Sequence, residues 1–164
     1  MDSRETRSLH RHHQGAWTMY DQSDLEIIDP IDHIRQRPEM YLPGGDTSGS
    51  ALAQRLFFDM QSTFDCLIIA QQIGDWRILG SDHNWVSDVA DPRDVFRRIV
   101  PFSRDGQVCF HAEILLAALA SQVVVFDRLQ YEVIQGDAAI PCEVLGLPQQ
   151  MPQLVRCVAF LVEK

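Results

Sequence analysis

Few polar residues in this chain stand in patterns that could do chemistry. His10-Arg11-His12-His13 supplies three imidazoles, which as neutral rings ligate Ni²⁺ or Zn²⁺ weakly, although a preorganised site also needs fixed geometry and more varied ligands. A solvated tail with no metal role is the plainer reading. Arg97-Arg98 offers a pair of cations for an anion, or simply a solvated helix surface. Asp82, in Gly80-Ser81-Asp82-His83-Asn84-Trp85, is a short acidic side chain suited to capping a turn. Cys66, Cys109, Cys142 and Cys157 are widely spaced, show no CxxC and lie in or beside apolar stretches, so they read as reduced thiols acting as small core residues.

The elements that must hold these groups are better defined than the groups themselves. Asp29 is a good N-cap and Pro30 suits the first helical position, so a helix starts there. Ile31 and Ile34 make its narrow apolar stripe, Arg35 and Arg37 meet the negative pole at its end, and Pro38 stops it. After the Gly/Ser loop 44–50, residues 51–64 form a second helix, with Leu52, Leu56, Phe57, Met60 and Phe64 on one face. Its long polar or charged side chains are Gln54, Arg55, Asp59 and Gln61.

Two apolar runs, 65–71 and 76–79, with Ile73-Gly74-Asp75 between them, read as a β-hairpin. Residues 86–105 are polar with a short helical piece over 91–100, capped by Asp91 and opened by Pro92. A further apolar helix follows over 114–120, then strands at 122–126, 129–134 and 155–162, with a turn at Gln135-Gly136-Asp137.

At 164 residues, 46% apolar and 23% charged, the chain suits one globular domain. Its formal charge of −9 argues against coating nucleic acid, which needs a basic surface. No apolar run is long enough for a membrane helix, and the polar, His-rich start has no signal-peptide core, so a cytoplasmic protein is expected. Residues 1–18 read as a disordered polar tail, residues 19–164 as a single domain, and residues 19–28 as its N-terminal arm.

The string Ile-Arg-Gln-Arg-Pro-Glu-Met-Tyr-Leu at residues 34–42 is similar to Val-Arg-Lys-Arg-Pro-Gly-Met-Tyr-Ile, the signature that opens the N-terminal ATPase domain of DNA gyrase B and its topoisomerase IV counterpart. Tyr20-Asp21-Gln22-Ser23-Asp24-Leu25 also resembles that family's arm, Tyr-Asp-Ser-Ser-x-Ile, at the same distance upstream. The resemblance, to the GHKL superfamily, covers roughly residues 20–164. It implies a Bergerat-type α+β fold, a two-layer sandwich of a mixed, mostly antiparallel sheet with helices on one face. It also implies an arm whose tyrosine, here Tyr20, reaches a partner's nucleotide pocket in a homodimer. The alternative is that Tyr20 and Leu25 fold back on their own core.

The ATP-site motifs depart from the family. Where the family's helix carries Glu-x-x-Asp-Asn, with Glu for the attacking water and Asn for Mg²⁺, aligning Asp59 puts Leu56 and Met60 in those two places. Leucine has no lone pair, and a thioether is a poor ligand for a hard cation. Gln61 is the one amide near enough to substitute for the asparagine. Asp82 falls within one residue of the family's adenine-reading aspartate, but His83, Asn84 and Trp85 replace the glycines that follow it.

In the family's Gly-x-His-Gly-x-Gly turn, His111 persists, while Phe110, Ala112 and Ile114 stand for glycines that would let backbone N–H groups wrap phosphate. The family's second domain would lie beyond Lys164 and is not expected here. The expectation is a non-catalytic domain, with no cofactor required, that binds protein: a homodimer through the arm, or a chain docking on another GHKL subunit. An ATP-binding switch or slow ATPase, with Asp82 on adenine, is the alternative.

Overall fold

The computed structural model describes residues 28–163 apart from Phe64, Asp105, Leu129 and Ala138; the His-rich tail and most of the arm, Tyr20 included, lie outside the described residues. Helix α1 (Pro30–Gln36) starts as the sequence dictates. The Asp29 carboxylate accepts from the backbone N–H of Ile31 at 2.8 Å and of Asp32 at 3.2 Å. Two single 3₁₀ turns, Pro38–Met40 and Pro43–Gly45, follow it.

Helix α2 (Gly49–Thr63) is entered from Ser48, whose Oγ accepts from the Ala51 N–H. It turns Leu52, Leu56 and Met60 inward at spacings of four, and all three are fully buried. Strands β1 (Ile68–Ile73) and β2 (Trp76–Ser81) form the expected hairpin, with Gly74 supplying the positive φ of the turn.

The expected helical piece at 91–100 shortens to one 3₁₀ turn, Asp94–Phe96, which buries Val95 and Phe96. An unexpected hairpin comes next, β3 (Pro101–Arg104) and β4 (Gln107–Phe110), forming a separate two-stranded sheet around Gly106 at φ +78°. Helix α3 (Glu113–Leu119) is then buried over most of its length, and β5 (Gln122–Asp127) and β6 (Gln130–Gln135) pair antiparallel. Two four-residue helices, α4 (Cys142–Leu145) and α5 (Leu147–Gln150), precede the last strand, β7 (Arg156–Leu161).

The five-stranded sheet runs β1-β2-β7-β5-β6, and each of its pairings is antiparallel. The coarse α+β class holds, but the expected mixed sheet with helices on one face does not. The central strands explain why. Leu79, Val123, Val125, Val158 and Phe160 face a core shared with α1, α2 and α3, while Ile78, Val124, Phe126, Cys157 and Ala159 face the other way. Alternate residues point to opposite faces, so both faces are apolar and both need a cover. Val144 and Leu147 of α4 and α5 provide it on the second face.

Gly136 closes the turn after β6 at φ +92°, and a Cβ there would stand 2.6 Å from the Gln122 Cγ. Gly136→Ala is expected to cost about 1–3 kcal/mol through strain and contact, measured as a shift of the urea midpoint at unchanged slope.

Candidate functional site

The polar groups of the signature helix are committed to the fold. Arg35 Nε donates to the Ala118 carbonyl at 2.9 Å, placing a cation at the C-terminal end of α3, and its Nη1 meets Asp32 at 3.3 Å. His33 Nδ1 and Tyr41 Oη are hydrogen-bonded at 2.8 Å, and the Tyr41 ring stands edge-on to Phe110 with centroids 6.0 Å apart. Ile34 and Leu42 are core. Arg37 and Glu39 meet at 3.9 Å with both side chains mostly exposed, which adds little. The motif thus ties α1 to α3 and to the end of β4.

The two positions that the resemblance assigns to water activation and Mg²⁺ are packed shut. Leu56 and Met60 have no accessible surface, and they share one cluster with Ala112, Ile114, Leu116 and Val158. Phe110 packs on the same cluster, with the Arg55 guanidinium 5.0 Å from its ring centre. Neither Leu56 nor Met60 offers a ligand for a hard cation, and Ala112 and Ile114, at the start of α3, are buried apolar side chains. Gln61 is exposed on α2 and so does not take up the asparagine's inward place.

Beside Leu56 and Met60 lies Asp59, its side chain 14% exposed and 3.5 Å from Arg55. Burial pushes its carboxyl up to about 6; Arg55 and the Ala112 N–H oppose the rise, and Glu113 adds to it. A folded value above the unfolded one, near 3.8, makes the protonated acid the stabilising form. That stability is fully present below about pH 3.8 and is lost as pH rises through about 6. Asp59→Asn should therefore match the wild type near pH 3.5 and exceed its stability by up to about 3 kcal/mol above pH 7. Urea midpoints of both proteins from pH 3.5 to 8 check this.

A group of buried charges was not legible from the residue pattern. Glu113, fully buried at the start of α3, accepts from the Trp85 indole Nε1 at 2.5 Å. The Arg156 guanidinium, on a side chain nearly as buried, lies 5.3 Å over the Trp85 ring. His111, also buried, has its Nδ1 3.9 Å from the second Glu113 oxygen, beyond hydrogen-bond reach, and leans on Phe102 at 4.9 Å. Burial lowers the His111 pKa, against the pull of Glu113. Burial likewise lowers that of Arg156, with Glu113 and Asp127 opposing. The cluster is a mostly buried polar core, which Arg156 joins to a cavity of about 440 Å³ that Asp127 and Glu132 also line. The signal that could have found it is a charge set inside each of two apolar runs, Glu113 before Ile114-Leu115-Leu116 and Arg156 before Cys157-Val158-Ala159.

Asp82 stands at the end of β2, and its Oδ1 accepts from the Leu67 N–H at 3.0 Å and contacts His83 Nδ1 at 2.9 Å. The His83 hydrogen bond is the main cause of its lowered pKa. The carboxylate therefore clasps the open end of the β1–β2 hairpin. Arg98 is paired with Asp94 at 2.6 Å, while Arg97 lines a surface groove.

All four thiols are free. Cys157 alone is fully core, with its thiol pushed up to about 12 by burial, whereas Cys142 is exposed, against the expectation of four core cysteines. Among the described residues no group of three or more His, Cys, Asp or Glu could hold a metal ion, and the His10–His13 run lies outside them. No helix among the described residues is long and apolar enough to cross a membrane. Neither a protein-family model, nor a curated protein, nor a solved structure matches the chain.

Proposed function

We propose that this chain is a gyrase-B-like GHKL domain that acts by binding protein rather than by turning over ATP, its partner being a second copy of itself or another GHKL subunit. The observation that carries this reading is the complete burial of Leu56 and Met60 in the apolar core, where an ATPase would need a carboxylate and an amide around water and Mg²⁺. A site with those two side chains has no group to take a proton from water and none to hold the cation.

The fate of the signature residues supports the same reading. Arg35, His33 and Tyr41 are spent on joining α1 to α3 and β4, so the segment is kept for architecture. Asp82 is engaged by Leu67 and His83 at a hairpin end. Phosphate release from about 1 mM Mg·ATP is the direct test. Turnover indistinguishable from buffer is predicted; turnover that scales with protein and disappears in Asp82→Ala would overturn the reading.

A further inference from the structure

The cavity that Arg156 lines, of about 440 Å³, falls inside the range of about 300–1,000 Å³ that small-molecule sites occupy. Its floor is the sheet face that packs against α1, α2 and α3. Val125 and Asp127 of β5, Glu132 of β6 and Arg156 of β7 come together there because the antiparallel register sets Val125 opposite Glu132 and Asp127 opposite Arg156. Pro92 and Arg93, just before the Asp94–Phe96 turn, supply more of the wall. The lining includes none of Leu56, Met60 and Asp82.

Arg156 is out of keeping with a purely structural role. The residue is 4% exposed, yet its Nε has no hydrogen-bond partner among the described residues. Asp127, exposed and directly opposite it in the β5–β7 pairing, forms no ion pair with it. Oppositely charged neighbours on one sheet face ordinarily stabilise each other. Here the guanidinium lies over the Trp85 ring at 5.3 Å, and Glu113, the buried carboxylate of the cluster, accepts from the Trp85 indole instead. Glu113 offsets the charge of Arg156 from that position but does not satisfy its donors. A guanidinium carries five, and leaving them unmet in a buried place is costly.

The charges around the cavity say what would meet them. Arg93 and Glu132 are engaged with each other at 2.8 Å. One buried cation, Arg156, and two exposed carboxylates, Asp91 and Asp127, remain. A phosphate would gain the guanidinium but face two groups of its own sign. A carboxylate joined through one carbon to an ammonium complements both signs. Directly opposed residues of an antiparallel pair have Cα atoms about 4.5–5.5 Å apart, so one small molecule can reach Arg156 and Asp127 together.

We infer that this cavity binds a free α-amino acid. Its carboxylate accepts from Arg156, its ammonium donates to Asp127, and its side chain lies against Pro92 and Val125. The inference rests on the cavity and its charges, and it holds whether or not the chain is GHKL-like.

Thermal unfolding of the full chain with each common L-amino acid at about 2 mM tests it, followed by calorimetric titration of those that raise Tm. The expected result is 1:1 binding of at least one of them, weakened at least tenfold by Asp127→Asn, by Arg156→Lys, which keeps the charge but not the planar fork, and by N-acetylation of the amino acid. Stabilisation by none of them overturns the proposal, and so does binding that any one of these three changes leaves intact. Acetate or inorganic phosphate bound as tightly as the amino acid would make this a plain anion site and overturn it equally. Asp127 is exposed, so Asp127→Asn and the N-acetylated ligand decide the matter even if Arg156→Lys does not fold.

Discussion

Leu56→Glu is expected to lose about 5 kcal/mol or more of stability at pH 7, enough to unfold much of a domain of ordinary stability, and to gain no ATPase activity. Leu56 has no accessible surface and is surrounded by apolar side chains of α2, α3 and the sheet. A glutamate there must either bury a charge without a partner or fold protonated, and both are costly. Met60→Asn, which installs the amide that the proposed resemblance would place there, should cost less, about 2–4 kcal/mol, because an amide is neutral and the main losses are methionine packing and unmet hydrogen bonds. Urea unfolding of each variant gives the numbers. The comparison matters because in an open nucleotide site the same two substitutions would be nearly neutral. A Leu56→Glu protein as stable as the wild type would mean that water reaches this position.

The second large effect is expected at Trp85. Trp85→Phe keeps much of the ring but removes the indole N–H that donates to the fully buried Glu113, and it weakens the surface on which Arg156 stacks. A buried carboxylate stripped of its donor should cost about 3 kcal/mol or more. The cause is separable from lost packing by a double-mutant cycle. Adding Glu113→Gln removes the stranded charge, so the double variant should fall short of the summed single costs by about 1 kcal/mol or more. Strict additivity would show that Trp85 and Glu113 are energetically independent despite their contact.

Local signals carried much of the fold. Asp29-Pro30 marks the start of α1, Gly74 marks the first turn, and the four-residue spacing of Leu52, Leu56 and Met60 gives the buried face of α2. What was missed obeys different physics. Helices α4 and α5 are four residues each, too short for any period, and they exist because the second face of the sheet needs cover. The β3–β4 hairpin left one usable mark, the Asp105-Gly106 pair, inside a stretch too polar to suggest strands.

Leu56 and Met60 are apolar in the sequence and core in the structure, so chemistry and packing agree. The Glu113–Trp85–Arg156 cluster joins residues far apart in the chain, and no spacing rule connects them. For Asp82, a turn-capping role could be guessed from residue type, but its partner Leu67 precedes the other strand at the same open end and emerges only from the pairing of β1 with β2.

Calorimetric titration of Mg·ATP into the full chain tests most directly the proposal that the chain has no working nucleotide site. At about 1 mM ligand, where an interaction of roughly −4 kcal/mol begins to register, no saturable heat is predicted. A 1:1 isotherm that Asp82→Ala abolishes would contradict the proposal and show that the chain binds nucleotide.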